Sequence, residues 1–384
     1  MSASLPAGVC IVQHSLLESR GGAARVADLL CGGIAAQGAR CRRTFELAES
    51  EAGAARLAER PGAQEAAEAA AAGSLVHLHA SLDWAGLLAA LGRAGAGGRA
   101  VLTLHDCRLF TGGCPYPLGC AGLDSGCPDP CPRGFPDSTA RRAAQLSALA
   151  GLSPLLLAPS RWMRDLAAPF LESLGDGLAI RVLPNGVPFP ASPPGPAERA
   201  EARRAFGIEH DARVVLFAAH GAEAAQYKGG HRWAELRAAV AQRLPGTLFV
   251  QAGGEEVARE DGLLRLPYLP PERLSRLMRA ADLMLYPTLA DNHPLIVLEA
   301  MAEGLPTLSF AVGGIVEQIV DGKSGFLVRP GDWRGMAERA SRILAAPSDL
   351  RRARVGVFAH GRARFSLPRM VADHAALYAG LLAV

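Results

Sequence analysis

The sequence predicts an α/β protein made of two successive doubly wound units. Three observations carry this reading. Short apolar runs alternate with helical stretches along most of the chain. The runs are bounded by Gly, Pro, Ser or Asp, as strands of βα units are. The alternation then restarts after a proline-rich segment near the middle.

In the first half, residues 9–14, 75–79, 100–104, 155–158 and 180–183 read as strands. A Gly21-Gly22 turn opens a helix that runs to about residue 35. Residues 189–196, FPASPPGP, read as a linker. The second series has strands at 214–218, 247–251, 283–286, 307–310 and 326–328. Helices are expected at 197–206, 294–303 and 332–344. The expected domains are 1–187 and 188–365, with a last helical stretch, 366–384, that can belong to either and cross back to the first. Two Rossmann-like units facing each other would form a cleft, the usual place for a ligand. Residues 105–136 break the rhythm, being dense in Gly, Pro and Cys. A loop this long inside a compact domain is usually functional or separately stabilised.

Composition narrows the classes. The chain has 384 residues, 49% of them hydrophobic, which is enough for large cores. A formal net charge of +3 excludes a polybasic nucleic-acid binder. All but two of the 40 basic residues are arginine, a bias that GC-rich coding produces, so the two lysines, Lys228 and Lys323, stand out. There is no uninterrupted apolar run of about 18 residues. Residues 1–10 lack a basic region and a long apolar run, so a cytoplasmic location is expected, at most touching the inner face of the membrane. Arg40, Arg42 and Arg43 could meet anionic headgroups there, although a solvated face is the simpler reading. In that compartment the eight cysteines are thiols or metal ligands before they are disulfides.

The richest stretch for chemistry is DNHPLIVLEAMAEGLP, residues 291–306. Asp291 ends a strand and its loop, and Glu299 follows eight positions later on a helix. Pro294 suits a first helical turn, where a missing N–H costs nothing. The backbone N–H groups around His293 to Ile296 then make an anion site suited to a diphosphate, and Asn292, His293, Pro294 and Leu295 are the candidate donor-binding residues there. A carboxylate at Glu299 could accept from the vicinal hydroxyls of a ribose.

This segment resembles the acid-x7-Glu motif of glycosyltransferase family 4, the retaining nucleotide-sugar enzymes of GT-B fold. Other segments agree in order: GGAARV at 21–26, TLHD at 103–106, APS at 158–160, LPNGV at 183–187, KGG at 228–230, AD at 281–282, GGIVE at 313–317 and DGKSGFLV at 321–328. HDCRLFTGGC, residues 105–114, further resembles the branch that builds exopolysaccharides such as colanic acid. The resemblance implies two Rossmann-like domains facing an inter-domain cleft. It gives His105 a role at the donor sugar and Lys228 one at the diphosphate, with Asp291 and Glu299 completing the catalytic set. An ammonium on a flexible stem suits a phosphate as a point charge. Gly21 and Gly22 allow backbone approach to the donor or acceptor, Asn185 lies at the hinge, and Gly314 with Glu317 faces the donor. His77 and His79 share one strand face with nothing matched opposite, and read as structural.

Two departures matter. The family usually has Glu where Asp291 stands. It also commonly places Arg six residues before the lysine, where this chain has Ala222, so one of two usual cations is absent.

Cys114, Cys120, Cys127 and Cys131 fall within 18 residues of one loop and could form a structural Zn²⁺ site, although the spacing matches no paired Cys-x-x-Cys ribbon. Free thiols and disulfides are the alternatives. No cofactor is expected for catalysis: the chain lacks Asp-x-Asp, the pair that holds a divalent cation on the donor in the metal-dependent GT-A class. The expected activity is transfer of a sugar, with retention, from a nucleotide-diphosphate sugar to a saccharide or lipid-linked acceptor. A GT-B epimerase and a non-catalytic sugar-nucleotide-binding scaffold are the rivals.

Overall fold

The structure is a computed structural model that describes residues 8–49, 57–171, 174, 178–219 and 226–383. The chain divides into two compact units. One comprises Met1–Gly186 with Leu367–Val384, the other Val187–Ser366.

The first unit runs β1 (Cys10–Leu17), α1 (Gly22–Ala36), β2 (Arg40–Glu49), β3 (Leu57–Glu59), α2 (Gly62–Ala71), β4 (Leu75–Leu78), α3 (Trp84–Arg93), β5 (Ala100–Thr103), α4 (Ser138–Leu152), β6 (Leu155–Ala158), α5 (Arg161–Leu171) and β7 (Ile180–Val182). Its sheet order is β3-β2-β1-β4-β5-β6-β7, parallel except for β3. β4 and β5 are buried along their whole length. That is why they read as continuous apolar runs, as strands covered on both faces do. Val12, Val76, Leu102 and Leu156 form the core with Leu88 and Leu91 of α3 and Leu149 of α4.

The second unit runs α6 (Pro196–Ala205), β8 (Arg213–Ala218), α7 (Trp233–Arg243), β9 (Thr247–Gly254), β10 (Ala258–Glu260), β11 (Leu263–Pro267), α8 (Pro271–Ala280), β12 (Leu283–Tyr286), α9 (Leu295–Ala302), β13 (Thr307–Phe310), α10 (Ile315–Gln318), β14 (Phe326–Val328), α11 (Trp333–Leu344) and α12 (Pro347–Phe365). Its sheet order is β10-β11-β9-β8-β12-β13-β14, parallel except for β10. Asp282 pins the start of this sheet, accepting from Val214 N at 2.8 Å, Arg199 at 2.6 Å and Arg203 at 2.9 Å. The chain then returns to the first unit as α13 (Leu367–Leu382), which packs on α1.

In each sheet the chain reverses its direction of winding once, between β1 and β4 and between β8 and β12. Open α/β sheets bind ligands at the carboxyl ends of the strands at such points. Among the described residues no helix is long and apolar enough to cross a membrane. Arg40 and Arg42 are exposed, whereas Arg43 is turned inward, its guanidinium donating to Glu18 O and Ser15 Oγ at 2.6 Å each.

Candidate functional site

In the second unit the loop after β12 carries the chemistry. Asp291 is 6% exposed. Its Oδ2 takes Lys228 Nζ in an ion pair and accepts from Tyr286 OH at 2.5 Å, while its Oδ1 accepts from Asn292 N at 3.0 Å. The acid therefore holds the lysine. Lys228 keeps 32% of its side chain exposed and sits 5.6 Å above the Tyr286 ring. Its ammonium is presented at the end of the sheet by a buried carboxylate behind it.

Two glycines allow this packing. Gly229 has φ +76° and Gly313 φ +55°, both left-handed. A Cβ at Gly229 would lie 2.2 Å from Pro287 O, and one at Gly313 2.0 Å from Asp291 O. Close backbone approach is thus built in on both sides of the loop. Leu289 N donates to Tyr227 O at 2.7 Å and Gly314 N to Asp291 O at 3.1 Å, tying the loop to the lysine turn and to the segment before α10.

Pro294 is the N-cap of α9, so it stands one residue earlier relative to the helix than the sequence suggested. Pro294 has no side-chain group with which to cap this N-terminus. The helix is buried from Leu295 to Ala302 except at Ile296 and Glu299, which are half-buried. Glu299 is thus an acid on an otherwise apolar helix. Asn292 and His293 are buried at 2% and 5% exposure. Gln318 Nε2 lies 3.0 Å from His293 Nδ1 and 3.2 Å from Pro294 O, so the amide holds the ring and the cap together. Sequence reading missed Gln318 and Tyr286; neither lies in a recognisable motif. Gly314 is buried and Glu317 half-buried on α10. Ala222 lies outside the described residues.

In the first unit Gly21 is the N-cap of α1, and open space surrounds both Gly21 and Gly22. The Glu49 carboxylate holds the preceding loop through Ser19 N at 3.1 Å and Arg20 N at 2.9 Å. Asn185 is buried, its carbonyl accepting from Arg369 at 2.9 Å. Neither Asn185 nor Gly186 has positive φ, so no type I′ or II turn forms there.

His105 follows β5 and is half-buried, its Nε2 lying 2.9 Å from His79 Nδ1. Burial pushes its pKa down to about 3, helped by the charge of His374, so the imidazole is neutral at physiological pH. His77 and His79 do have matched partners, contrary to the sequence reading. His77 meets Tyr378 OH at 2.6 Å and Thr103 Oγ1 at 2.7 Å, and His79 meets Gln13 Oε1 at 2.8 Å. Tyr378 comes from α13, far along the chain, so no local pattern could have paired them.

The cysteine loop has one short 3₁₀ turn, Arg108–Phe110, and is otherwise turns and bends up to α4. Cys114, Cys120, Cys127 and Cys131 line one cavity of about 20 Å³. All four are free thiols. Among the described residues no three His, Cys, Asp or Glu side chains are placed to hold a metal ion. Arg142, 8% exposed, donates to Leu123 O at 2.9 Å and lies 3.9 Å from Cys127 Sγ, with its guanidinium 4.8 Å from the centre of the Phe170 ring.

Residues 198–356 match the profile of the family described as glycosyl transferases group 1. D-inositol 3-phosphate glycosyltransferases of Mycobacterium bovis and Mycobacterium tuberculosis are 33% identical to the chain over 196 residues. The match covers 45% of this chain and 38% of the relatives' length. Among solved structures, a sucrose-phosphate synthase from Thermosynechococcus elongatus superposes with a TM-score of 0.71 at 20% identity, covering 98% of this chain and 99% of that one. HepE of Anabaena, in complex with UDP-glucose, gives 0.69 at 16% identity over 98% and 100% of the two chains. The fold is GT-B: two seven-stranded, mostly parallel sheets with interleaved helices, as in two-domain glycosyltransferases.

Proposed function

We propose that the chain is a retaining, metal-independent glycosyltransferase of family 4. It moves a hexosyl group from a nucleoside-diphosphate sugar to a saccharide or lipid-linked acceptor in the synthesis of a polysaccharide or cell-surface glycan. The observation that carries this reading is Lys228, presented by Asp291 and Tyr286 at the carboxyl end of β12, in the loop that leads to the N-terminus of α9. All of it lies inside the segment that matches the family profile. An ammonium and a helix N-terminus stabilise a departing diphosphate where charge develops on it. Glu299 takes the ribose hydroxyls, with Asn292, His293, Leu295, Gly314 and Glu317 around the donor. His105, being neutral, exchanges hydrogen bonds with a sugar hydroxyl and is no general acid near pH 7. The leaving phosphate helps deprotonate the acceptor on the same face. The UDP-glucose complex of the HepE structure favours a UDP-sugar among the donors. Arg40 and Arg42 offer the exposed charge for a peripheral membrane contact.

The test is a thermal-shift screen with UDP-, GDP- and ADP-sugars, followed by Glu299→Gln. The variant should bind the stabilising donor about 1–3 kcal/mol more weakly, because a charged acceptor is lost. Unchanged donor affinity in folded Glu299→Gln overturns the ribose role.

The cysteine loop supports a separate proposal, a structural Zn²⁺ on Cys114, Cys120, Cys127 and Cys131. The thiols would have to rotate into the cavity they line to close on the ion. Arg142 favours it: a buried cation is stabilised by opposing charge, which a zinc tetrathiolate supplies. Elemental analysis should find about one zinc per chain, lost in Cys120→Ser and Cys131→Ser. Metal-free protein that melts at the same temperature with and without added zinc would sink this idea.

A further inference from the structure

Three cysteines of the first unit lie outside the cysteine loop: Cys10 in β1, Cys31 in α1 and Cys41 in β2. α1 joins the parallel strands β1 and β2 and packs on β2, so it runs back against them. A step forward along the helix is therefore a step backward along the strand. Asp28 and Arg43 form one rung between the two elements, with Arg43 Nη1 3.8 Å from Asp28 Oδ1. Three residues further along α1, on the same helix face, is Cys31. Two residues back along β2, on the same strand face, is Cys41. The two cysteines are the next rung, and their thiols are hydrogen-bonded to each other.

The pleat keeps the third cysteine out of this pair. Ile11 pairs with Cys41 and Gln13 with Arg43, so these four side chains share one face of the sheet. Gln13 accordingly reaches the Cys41 thiol. Cys10 pairs with Arg40 and projects from the opposite face, where it packs against the core around Val12.

The two thiols are not equivalent. The hydrogen bond from Cys41 and the charge of Arg43 hold the Cys31 thiol below its ordinary value, against the effect of burial. The same bond and burial push the Cys41 thiol up. Cys41 is thus the donor, and Cys31 is the sulfur that ionises first. Arg43 is suited to support that anion. Its Nη groups donate to Glu18 O, Ser15 Oγ and Leu17 O, but its buried Nε has no hydrogen-bond partner. A thiolate beside a guanidinium, with its sulfur only half-buried, is the setting in which a cysteine reacts with a small oxidant.

We propose that Cys31 and Cys41 are a peroxide-sensitive pair, Cys31 attacking and Cys41 resolving, that closes a reversible disulfide between α1 and β2. The Cys31 sulfur attacks one oxygen of the peroxide. The S–O bond forms, the O–O bond breaks, and the hydroxide that leaves takes a proton from solvent. Cys31 is then a sulfenic acid, oxidised by two electrons. The Cys41 sulfur attacks the Cys31 sulfur; the S–S bond forms, the S–O bond breaks, and the departing hydroxide takes the Cys41 proton. Hydrogen peroxide has become two waters and the two thiols one disulfide, which an external dithiol reduces again. The chemistry is independent of the glycosyl-transfer reading.

The test treats the full chain with dilute hydrogen peroxide, blocks the remaining thiols with N-ethylmaleimide and reads the digest by mass spectrometry without reduction. A peptide linked through Cys31 and Cys41 should form about tenfold faster than Cys10 is oxidised, and dithiothreitol should remove it. In Cys41→Ser, dimedone should trap a sulfenic acid on Cys31; in Cys31→Ser, Cys41 should remain a thiol. Wild-type protein whose Cys31 and Cys41 both still take N-ethylmaleimide after Cys10 has been oxidised overturns the proposal, and needs no variant to fold. So does Cys31 driven to sulfinic acid while Cys41 stays reduced, or Cys31 linked to a different cysteine. Dimedone labelling of Cys41 in folded Cys31→Ser, as fast as that of Cys31 in Cys41→Ser, overturns the assignment of the attacking thiol.

Discussion

Lys228→Ala is expected to lower kcat/KM for sugar transfer by about a thousandfold or more, roughly 4 kcal/mol of transition-state stabilisation. The structure adds a second effect. Asp291 is buried and Lys228 half-exposed, so the variant strands a carboxylate that had an ammonium beside it. Breaking such a pair costs a few kcal/mol when fully buried, and solvent screening at the lysine reduces this to about 1–2 kcal/mol. The two losses are separable. Adding Asp291→Asn to Lys228→Ala should recover the melting temperature and leave transfer lost. Lys228→Arg should regain only part of the activity, because a planar fork does not reproduce a point charge. A folded Lys228→Ala with near-wild-type transfer removes the support for a diphosphate leaving group.

The second large effect is on stability against pH. Burial lowers the pKa of His374 to about 4 and of His105 to about 3, and holds His77 and His79 well below their ordinary value. Unfolded, each titrates near 6.5. A base whose pKa is lowered by folding leaves the unfolded chain holding more protons between the two values. Stability from these groups is therefore complete above about pH 6.5 and falls as the pH drops towards 3–4. From pH 8 to pH 5 each histidine contributes a loss of about 2 kcal/mol, so His105 and His374 alone give about 4 kcal/mol. Urea titrations at the two pH values measure this directly. A midpoint unchanged between them means that the cluster is protonated or solvated in the fold. The kcat profile should likewise show no inflection near 6.5 that disappears in His105→Ala.

Much of the fold was legible because its central strands are covered on both faces. Leu155–Ala158, Leu283–Tyr286 and Thr307–Phe310 were readable to the residue from short apolar runs between Pro, Gly and Asp; Phe326–Val328, a half-buried edge strand, was read from its apolar run after Gly325. β2 escaped notice because Arg40 and Arg42 interrupt its apolar residues and only Thr44 and Ala48 are fully buried. β11 sits near the other sheet's edge, and β3 and β10 are three-residue antiparallel additions that leave no periodic trace. The reach of local pattern ends at the same point for the site. Lys228 and Asp291 could be singled out as residues, but their ion pair joins positions 63 apart. The bond between Gln13 and Tyr378 joins positions 365 apart. Alternation along β4 put His77 and His79 on one face correctly; their partners came from other strands and loops of the sheet and, for His77, also from a helix at the other end of the chain.

That long-range closure has a consequence for how the protein is made. Synthesis is vectorial, and domains generally fold in the order they leave the ribosome. Here the first unit cannot complete in that order, because α13 follows all of the second unit in the chain. Until Tyr378 arrives, Gln13 and His77 lack the phenol that joins them, and His77 and His79 stand beside a polar gap. The nascent first unit must wait as an unfinished intermediate through the translation of some 180 residues, Val187–Ser366, while its neighbour is already able to fold. Quality control would therefore meet a chain with a finished second unit and an immature first unit.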